Sequence, residues 1–511
     1  MLLAAVWHNL VLQSTLYHMN ASRASTVILS SAIAIGLLSD QLLRAPQWGV
    51  NVGLAAGLLA VAGILTVRGG RQTWAWLGSM FFASMWAIRD AQPLLAVDLL
   101  AALSLASLPV LRESGVALPG AGPVELALAP LRAAWAATLG TVGFGQFLRR
   151  GMEPRAPTRR SQAVAVGALL AVPLLLIFGS LFAAADPVFG AAVSSFFDGA
   201  LGPLVSHAIT VAALAWASAG YLWYVAKPPR AARPLLTVPV VGGLQVLTPL
   251  LAMVVLFALF IGVQVTTLFG GAAFVQTTTG LTFAQYARGG FFQLVFASAL
   301  VLPLVYFAPA AAGPIDGTTA ARLRVLLWVQ LGLTGLVLVS ALWRMGLYVR
   351  MYGLTEDRVN GTAVMVWIAA TLAVFACTVV RGRPGAVFGS LVAAVIALAS
   401  LNLTNPEATI ARYNLTHQAG REVDVSHLGR LSADAVPILA ARIDLVPEAE
   451  RCRLVIDLRR RYLPLGGDWL GWNLARARAH EAATGLRAAE SCRAAGRPEL
   501  RGGTPGSRPG S

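Results

Sequence analysis

The chain has 511 residues, of which 57 % are hydrophobic and 12 % charged, with a mean hydropathy of +0.69. A soluble domain carries charge on roughly a quarter of its residues, so this composition excludes an ordinary soluble enzyme. The formal charge of +16 comes almost entirely from arginines in short loops and in the C-terminal region, with Lys227 as the single lysine. That is the bias of basic loops in polytopic membrane proteins, and no RNA- or DNA-binding motif accompanies it, so no nucleic-acid partner is expected.

The sequence predicts an all-α polytopic membrane protein of about 11 spans (roughly 10–12) with a small helical tail, because its apolar runs approach the ~20 residues that cross a hydrocarbon core. Residues 1–24 form a leader without the basic start and unbroken apolar run of a signal peptide. Spans are expected at 25–43, 48–67, 73–89 and 92–111. Residues 124–148 are interrupted by Glu125, Pro130, Arg132 and Gln146 and are expected to lie in the interface or re-enter it. RRGMEPRAPTRR (149–160) has five arginines against one glutamate, which marks a cytoplasmic loop. Further spans are expected at 162–183, 201–225, 238–263, 290–309, 325–345, 362–380 and 385–403, which completes the transmembrane domain of 25–403. The N-terminus is then cytoplasmic and the tail extracytoplasmic.

Between spans, AADPVFGAAVSSFFDG (184–199) reads as a surface helix capped by Asp186, with Pro187 in its first turn and Phe189, Val193, Phe196 and Phe197 on one face. VQTTTGLTFAQYARGGFF (275–292) is the most polar inter-span segment. Residues 264–289 are expected as an outer loop, with a turn at Thr279-Gly280 and Thr282 as a helix cap. Gln276, Thr279, Tyr286 and Arg288 are candidates for contact with a polar or anionic ligand should the segment line a cavity. RMGLYVRMYGLTEDRVNG (344–361) puts Tyr348 and Tyr352 one turn apart as interfacial anchors and offers Thr355 as a cap. Arg350 and Arg358 are candidate ligands for an anionic headgroup or a partner carboxylate.

Charged residues inside spans are costly and mark function by default. Asp98, in the fourth span, is the candidate for proton or cation coupling. Asp40 precedes Arg44 by one turn and reads as a helix-end pair. Cys377 reads as a small buried residue. The helical tail covers 404–493: Asn405-Pro406-Glu407 and Ser432 are helix starts, and 448–462 and 468–487 are arginine-rich amphipathic stretches. Cys452 and Cys492 are candidates for a disulfide in an oxidising compartment. Residues 494–511 are Gly/Pro/Ser/Arg-rich and expected to be disordered. No HExxH, Walker A, GxSxG or CxxC pattern occurs, so no catalytic residue, cofactor or metal site is nominated.

LFAAADPVFG, GLTFAQYARGGFFQL, YVRMYGLTEDRV, NPEATIARYNL and LSADAVPILAARID, in this order, resemble a bacterial family of polytopic membrane proteins catalogued as domain of unknown function 4173, allied to family 4153. The resemblance spans roughly residues 25–480. It implies a bacterial inner-membrane protein with a helical tail after its last span, and carries no activity to transfer. The expected functions are, first, a transport or export component for a small or lipidic solute, with membrane lipids as its surroundings. A membrane scaffold or sensor whose tail binds a protein partner comes second, and a membrane-embedded transferase third.

Overall fold

The computed structural model describes residues 24–67, 72–112, 115, 117–150, 178–198, 202–227, 238–279, 291–417, 424–464 and 467–487, and for 112, 148–150, 196–198 and 265–279 the backbone alone. Among the described residues every regular element is helical. Eight helices among the described residues are long and apolar enough to cross a membrane. The expected span 48–67 is a shorter apolar helix of 17 residues, and that at 73–89 is a 12-residue helix continued by a 3-10 turn. Most of the expected span at 162–183 lies outside the described residues.

The membrane domain is built as two bundles. The first joins α1 (Ala24–Leu43), α2 (Val50–Thr66), α3 (Thr73–Ser84), α4 (Gln92–Ser107), the short α5 (Pro123–Ala127), α6 (Ala129–Arg150), α7 (Pro187–Asp198) and α8 (Gly202–Ala226). Its core closes around Ile28, Trp76, Val110, Phe144 and Leu222. Trp76 donates through Nε1 to the Tyr221 hydroxyl (3.0 Å), which donates in turn to the Ala106 carbonyl (2.5 Å), so both buried aromatics satisfy their polar tips while tying α3, α8 and α4 together. Helix α6 is held to α8 by Thr141 Oγ1 on the Trp216 carbonyl (2.7 Å) and by Trp216 Nε1 on the Thr138 carbonyl (2.8 Å). It is not among the eight candidate spans.

The second bundle joins α9 (Gly243–Thr279), α10 (Phe291–Ala312), α11 (Gly317–Tyr352) and α12 (Glu356–Cys377) around Leu250, Val305, Leu327, Leu338, Met365 and Ile368. Helix α13 (Ala386–Thr404) lies on the seam between the bundles. Trp367 Nε1 of α12 donates to its Ser390 carbonyl (3.1 Å), while Phe388, Leu391, Val395 and Leu398 pack on the core that α3 and α4 share. Two expectations change here. Residues 264–279, expected as loop, continue α9, because threonine and glutamine do not break a helix whose bonding is already propagating. Cys377, expected to be buried, is exposed; in a membrane the lipid serves as apolar solvent, so an apolar residue gains nothing by facing the protein.

Helix α11 has 36 residues. At 1.5 Å per residue it is ~54 Å long against a hydrocarbon core of ~30 Å, so it carries its C-terminal end well past the span and up to the tail. It ends at Gly353, whose φ of +78° is left-handed and whose Cα faces Asn414; a Cβ there would meet Asn414 Oδ1 at 2.6 Å. Asn414 instead accepts from the Leu354 amide and donates to the Leu354 carbonyl, both at 2.8 Å. The tail comprises α14 (Pro406–Thr416), α15 (Val425–Arg430), α16 (Val436–Ala441), α17 (Glu448–Tyr462) and α18 (Leu474–Gly485). It has its own core of Ile410, Leu415, Leu428, Val436, Val455 and Ala479, against which Leu354 and Val359 of the membrane domain pack.

Candidate functional site at the seam between the bundles and the tail

Three segments of the membrane domain end together under the tail: residues 47–50, 86–90 and 402–405. The Val50 amide donates to the Trp472 carbonyl (3.0 Å). Asn473 donates to the carbonyls of Trp86 (2.8 Å) and Arg89 (2.7 Å), and its own Oδ1 caps α18 at the Arg476 amide (3.0 Å). Gly49 is required by this approach, since a Cβ would run into the carbonyls of Gly471 and Trp472. Trp48 and Trp86 pack beside it with ring centroids 5.0 Å apart.

At the centre lies Asp434, 2 % exposed, in the LSADAVP stretch of the tail. Its carboxylate accepts from Arg89 Nη1 (3.3 Å), from the Asp90 amide (2.6 Å) and from Asn405 Nδ2 (3.1 Å). Arg89 also donates through Nε (2.9 Å) and Nη2 (2.5 Å) to the Asn402 carbonyl, near the end of α13. Asp90 pairs with Arg476 (3.4 Å) and accepts from the Ala433 amide (3.4 Å). Glu407 accepts from the Ser432 amide. Burial raises the pKa of Asp90 and of Glu407 above the ordinary carboxylate value, and the neighbouring Asp434 carboxylate adds to both shifts.

The network continues into the membrane. Asn402 Nδ2 donates to Asp98 Oδ1 (2.7 Å) and to the Leu398 carbonyl (3.0 Å). Both side chains are fully buried. Asp98 stands six residues into α4, ~9 Å along its axis. The pair therefore joins α4 of the first bundle to α13 on the seam.

Among the described residues, two further buried polar clusters inside spans hold charged residues. Asp40 accepts from Arg44 Nε (2.8 Å), as the i,i+4 spacing predicts, but also bonds His207 Nδ1 of α8. Arg44 reaches Ser206 (2.8 Å) and Thr210 (3.0 Å) on the same helix. In the second bundle Arg344, 6 % exposed, and Ser340 both donate to Gln264. Sequence reading passed over Arg344, although an arginine one turn inside an apolar run was the available signal.

The other candidate residues are dispersed. Asp186 caps α7, accepting from the amides of Val188 (2.7 Å) and Phe189 (3.2 Å). Gln276 and Thr279 lie in the last turns of α9 rather than in a loop. Tyr286, Arg288 and Cys492 lie outside the described residues, as do Thr282 and the side chains of Phe196 and Phe197. Arg358 stacks over Tyr348, 4.1 Å from its ring centroid, and donates to the carbonyls of Tyr352 and Gly353 that end α11. Arg350 is exposed, and Cys452 is buried on α17.

Helix-start expectations divide. Asn405 caps α14 at the Ala408 amide (3.2 Å). Thr355 makes no capping bond, and Ser432 accepts from the Asp434 amide (3.3 Å) in a turn ahead of α16, which begins at Val436. For Ser432 the physical reason is that its hydroxyl is engaged by the turn instead, since hydroxyl caps compete with nearby turn bonding. The amphipathic stretch 468–487 divides into a 3-10 turn, Trp469–Gly471, and α18. Among the described residues no three His, Cys, Asp or Glu side chains gather as a metal site.

Residues 76–441 match the family described as a domain of unknown function, DUF4153. This is the ally of the family that the motifs resemble; the match is not to 4173 itself. The matched region takes in Arg89, Asp90, Asp98, Asn402, Glu407 and Asp434, and stops short of Asn473 and Arg476. No curated protein and no solved structure matches the chain.

Proposed function

The chain belongs to the DUF4153 family, and from the seam we propose that it is a transport or export component whose tail clamps the two membrane bundles together. The observation that carries this reading is the line of bonds from the intramembrane Asp98 through Asn402 and Arg89 to Asp434. A transporter must move one group of helices against another, and buried polar contacts at the seam between them are where such motion is controlled. A scaffold has no need to bury a carboxylate inside the membrane.

The solute suited to this architecture is lipidic. A groove of about 730 Å³ between α1, α2 and α3 is lined by Ala34, Ile35, Gly53, Gly57, Val61 and Met80 among others, nearly all apolar. The tail end faces outward in this reading. The opposite end gathers the segments Pro119–Pro123 and Val379–Val387, with Arg383 among them, beside Pro309 near the end of α10. At the tail end Arg44 and Arg89 are each held by a carboxylate, Asp40 and Asp434.

The test is an unbiased comparison of membrane lipids and small solutes in cells lacking the protein, complemented with the wild type, Asp98→Asn or Arg89→Ala at equal protein level. The wild type restores the composition and the variants do not. Full restoration by both variants would sink the transport reading.

A second reading, a sensor whose tail binds a protein, is favoured by one feature. A cleft of about 610 Å³ between α15 and α17 is lined by Arg430, Arg453, Arg460 and Arg461, with Ser426, Glu450 and Asp457. It fits an acidic peptide. Loss of function in Arg453→Ala/Arg460→Ala with Asp98→Asn silent would select it over transport.

A further inference from the structure

The Asp98–Asn402 pair is incomplete as drawn. Asn402 spends both amide hydrogens, one on Asp98 Oδ1 and one on the Leu398 carbonyl, which fixes the orientation of its amide. That leaves Asn402 Oδ1 and Asp98 Oδ2 as two fully buried acceptors with no donor among the described residues. Buried oxygens of this kind are rare and costly, and an ionised carboxylate with a single hydrogen bond is costlier still. The cost falls on both halves of a pair that is already hydrogen-bonded on its other side.

A single proton removes both defects. Protonated on Oδ2, Asp98 gains the donor that Asn402 Oδ1 lacks, and acid and amide then bond reciprocally: amide N–H to carboxyl oxygen, carboxyl O–H to amide oxygen. We propose that Asp98 and Asn402 form an intramembrane proton-binding site, which holds its proton while the tail is docked and the seam is closed. This rests on the transport reading and supplies its coupling ion.

The surrounding charge couples the site to the tail. The charged group acting directly on Asp98 is Arg89, which reaches Asn402 by the backbone carbonyl and Asp434 by an ion pair. Beyond it the carboxyls of Asp90, Asp434 and Glu407 face the guanidinium groups of Arg89, Arg476 and Arg461. Helices α3 (Thr73–Ser84) and α13 (Ala386–Thr404), which pack against α4, carry no charged residue, and Arg132 lies on α6. An ionised Asp98 would therefore compete with Asp434 for Arg89, the cation that lies beside both among the described residues. Release of the proton pulls Arg89 into the membrane side of the seam and weakens the tail clamp. Proton binding restores it.

The test uses the full-length protein in lipid nanodiscs. Infrared difference spectra between wild type and Asp98→Asn at neutral pH show the C=O stretch of a protonated, hydrogen-bonded carboxylic acid. Asn402→Ala moves that band to the position of an acid lacking its partner. A carboxylate band in place of the acid band overturns the proposal. Hydrogen exchange at the Asp90 amide, corrected for its intrinsic rate, gives the coupling. In the wild type, docking weakens by up to about tenfold per pH unit across the interval in which the undocked site has lost its proton and the docked site still holds it. In Asp98→Asn, whose amide stays neutral, that component of the slope is absent. Equal slopes in the two proteins overturn the coupling, and a response to exchange of sodium for choline at fixed pH overturns the proton as the ligand. An acid band together with silent Asp98→Asn and Arg89→Ala in cells defeats the transport reading while leaving the proton site. A carboxylate band with an active phenotype does the reverse.

Discussion

Replacing Arg89 by alanine tests the clamp most directly. Its guanidinium gives two hydrogen bonds to the Asn402 carbonyl and one ion pair to Asp434, across the seam between α3, α13 and the tail. Asp434 is buried, and removing one member of a buried pair costs about 3–5 kcal/mol because the other charge is stranded. Here the stranded carboxylate keeps the Asp90 amide and Asn405 Nδ2 as donors. The cost therefore falls at the low end of that range, about 3 kcal/mol, or roughly a hundredfold in the ratio of docked to undocked tail. Two amides report docking and nothing else: that of Asp90, held by Asp434 Oδ2, and that of Val50, held by the Trp472 carbonyl. Native-state hydrogen exchange in nanodiscs should show both accelerating by about two orders of magnitude, since exchange follows the population of the open state. Amides in the middle of α11, around Leu331, should be unaffected. Unchanged rates at Asp90 and Val50 would refute the clamp. A parallel rise around Leu331 would show that Arg89 holds up the whole membrane domain instead.

Gly49→Val should release the same two amides without touching a charge, because its Cβ would occupy the space of the Gly471 and Trp472 carbonyls; unchanged exchange in that variant would deny the close approach. Asp90 and Glu407 hold their protons to higher pH when docked than at their ordinary values of 3.8 and 4.5. The docked state then binds more protons across the interval from those values up to the raised ones, so docking is fully favoured below it and weakens as pH rises through it. Mild acid should therefore tighten the tail, and Asp90→Asn/Glu407→Gln should flatten the dependence; release of the tail on acidification would reverse the sign and refute it. Non-reducing peptide mapping should recover Cys452 cross-linked to Cys492, a closure of 41 residues expected to stabilise the tail by about 4 kcal/mol; alkylation of both thiols without prior reduction would exclude the bond. Reporter domains fused at residues 155 and 420 should signal from opposite sides of the membrane, cytoplasmic for the first, and a cytoplasmic signal from 420 would invert the topology.

What the sequence made legible was local. The membrane class followed from composition. Most span positions followed from apolar runs, and the Asp40–Arg44 pair, the Asp186 cap and the Asn405-Pro406-Glu407 start followed from spacings of four residues or fewer. Asp98 stood out because a carboxylate in an apolar run is costly whatever surrounds it. The failures were local as well. Residues 264–279 looked like loop because of their threonines, glutamines and the Gly270-Gly271 pair, but a helix already nucleated upstream adds one hydrogen bond for each residue it fixes, and that gain carries it through both glycines. Cys377 looked buried because soluble proteins bury cysteine, a rule that lapses where lipid replaces water.

The seam could not be read in this way. Asp98 and Asn402 are 304 positions apart, Arg89 and Asp434 345, and Asn473 and Trp86 387. Each residue alone has an ordinary explanation: Arg89 an interfacial arginine, Asn402 a polar residue near a span end, Asp434 a turn former. Their joint significance depends on the chain returning three times to one end of the bundle, and no periodicity encodes that return. The tail therefore changes its meaning. By composition it is an arginine-rich appendage, fitted to bind some other protein. In the structure its most buried charge faces inward, onto the membrane domain, and the residues that face it from below lead to the intramembrane carboxylate. Part of its surface is thus already committed to the chain's own membrane domain, and an external partner would have to act through what is left, the arginine-lined cleft. A ligand in that cleft would bear on Arg461, which donates to the carbonyls of Gly429 and Leu431 directly ahead of the turn that presents Asp434. The proposed transport and sensing would then be two uses of one connection, with the clamp between them.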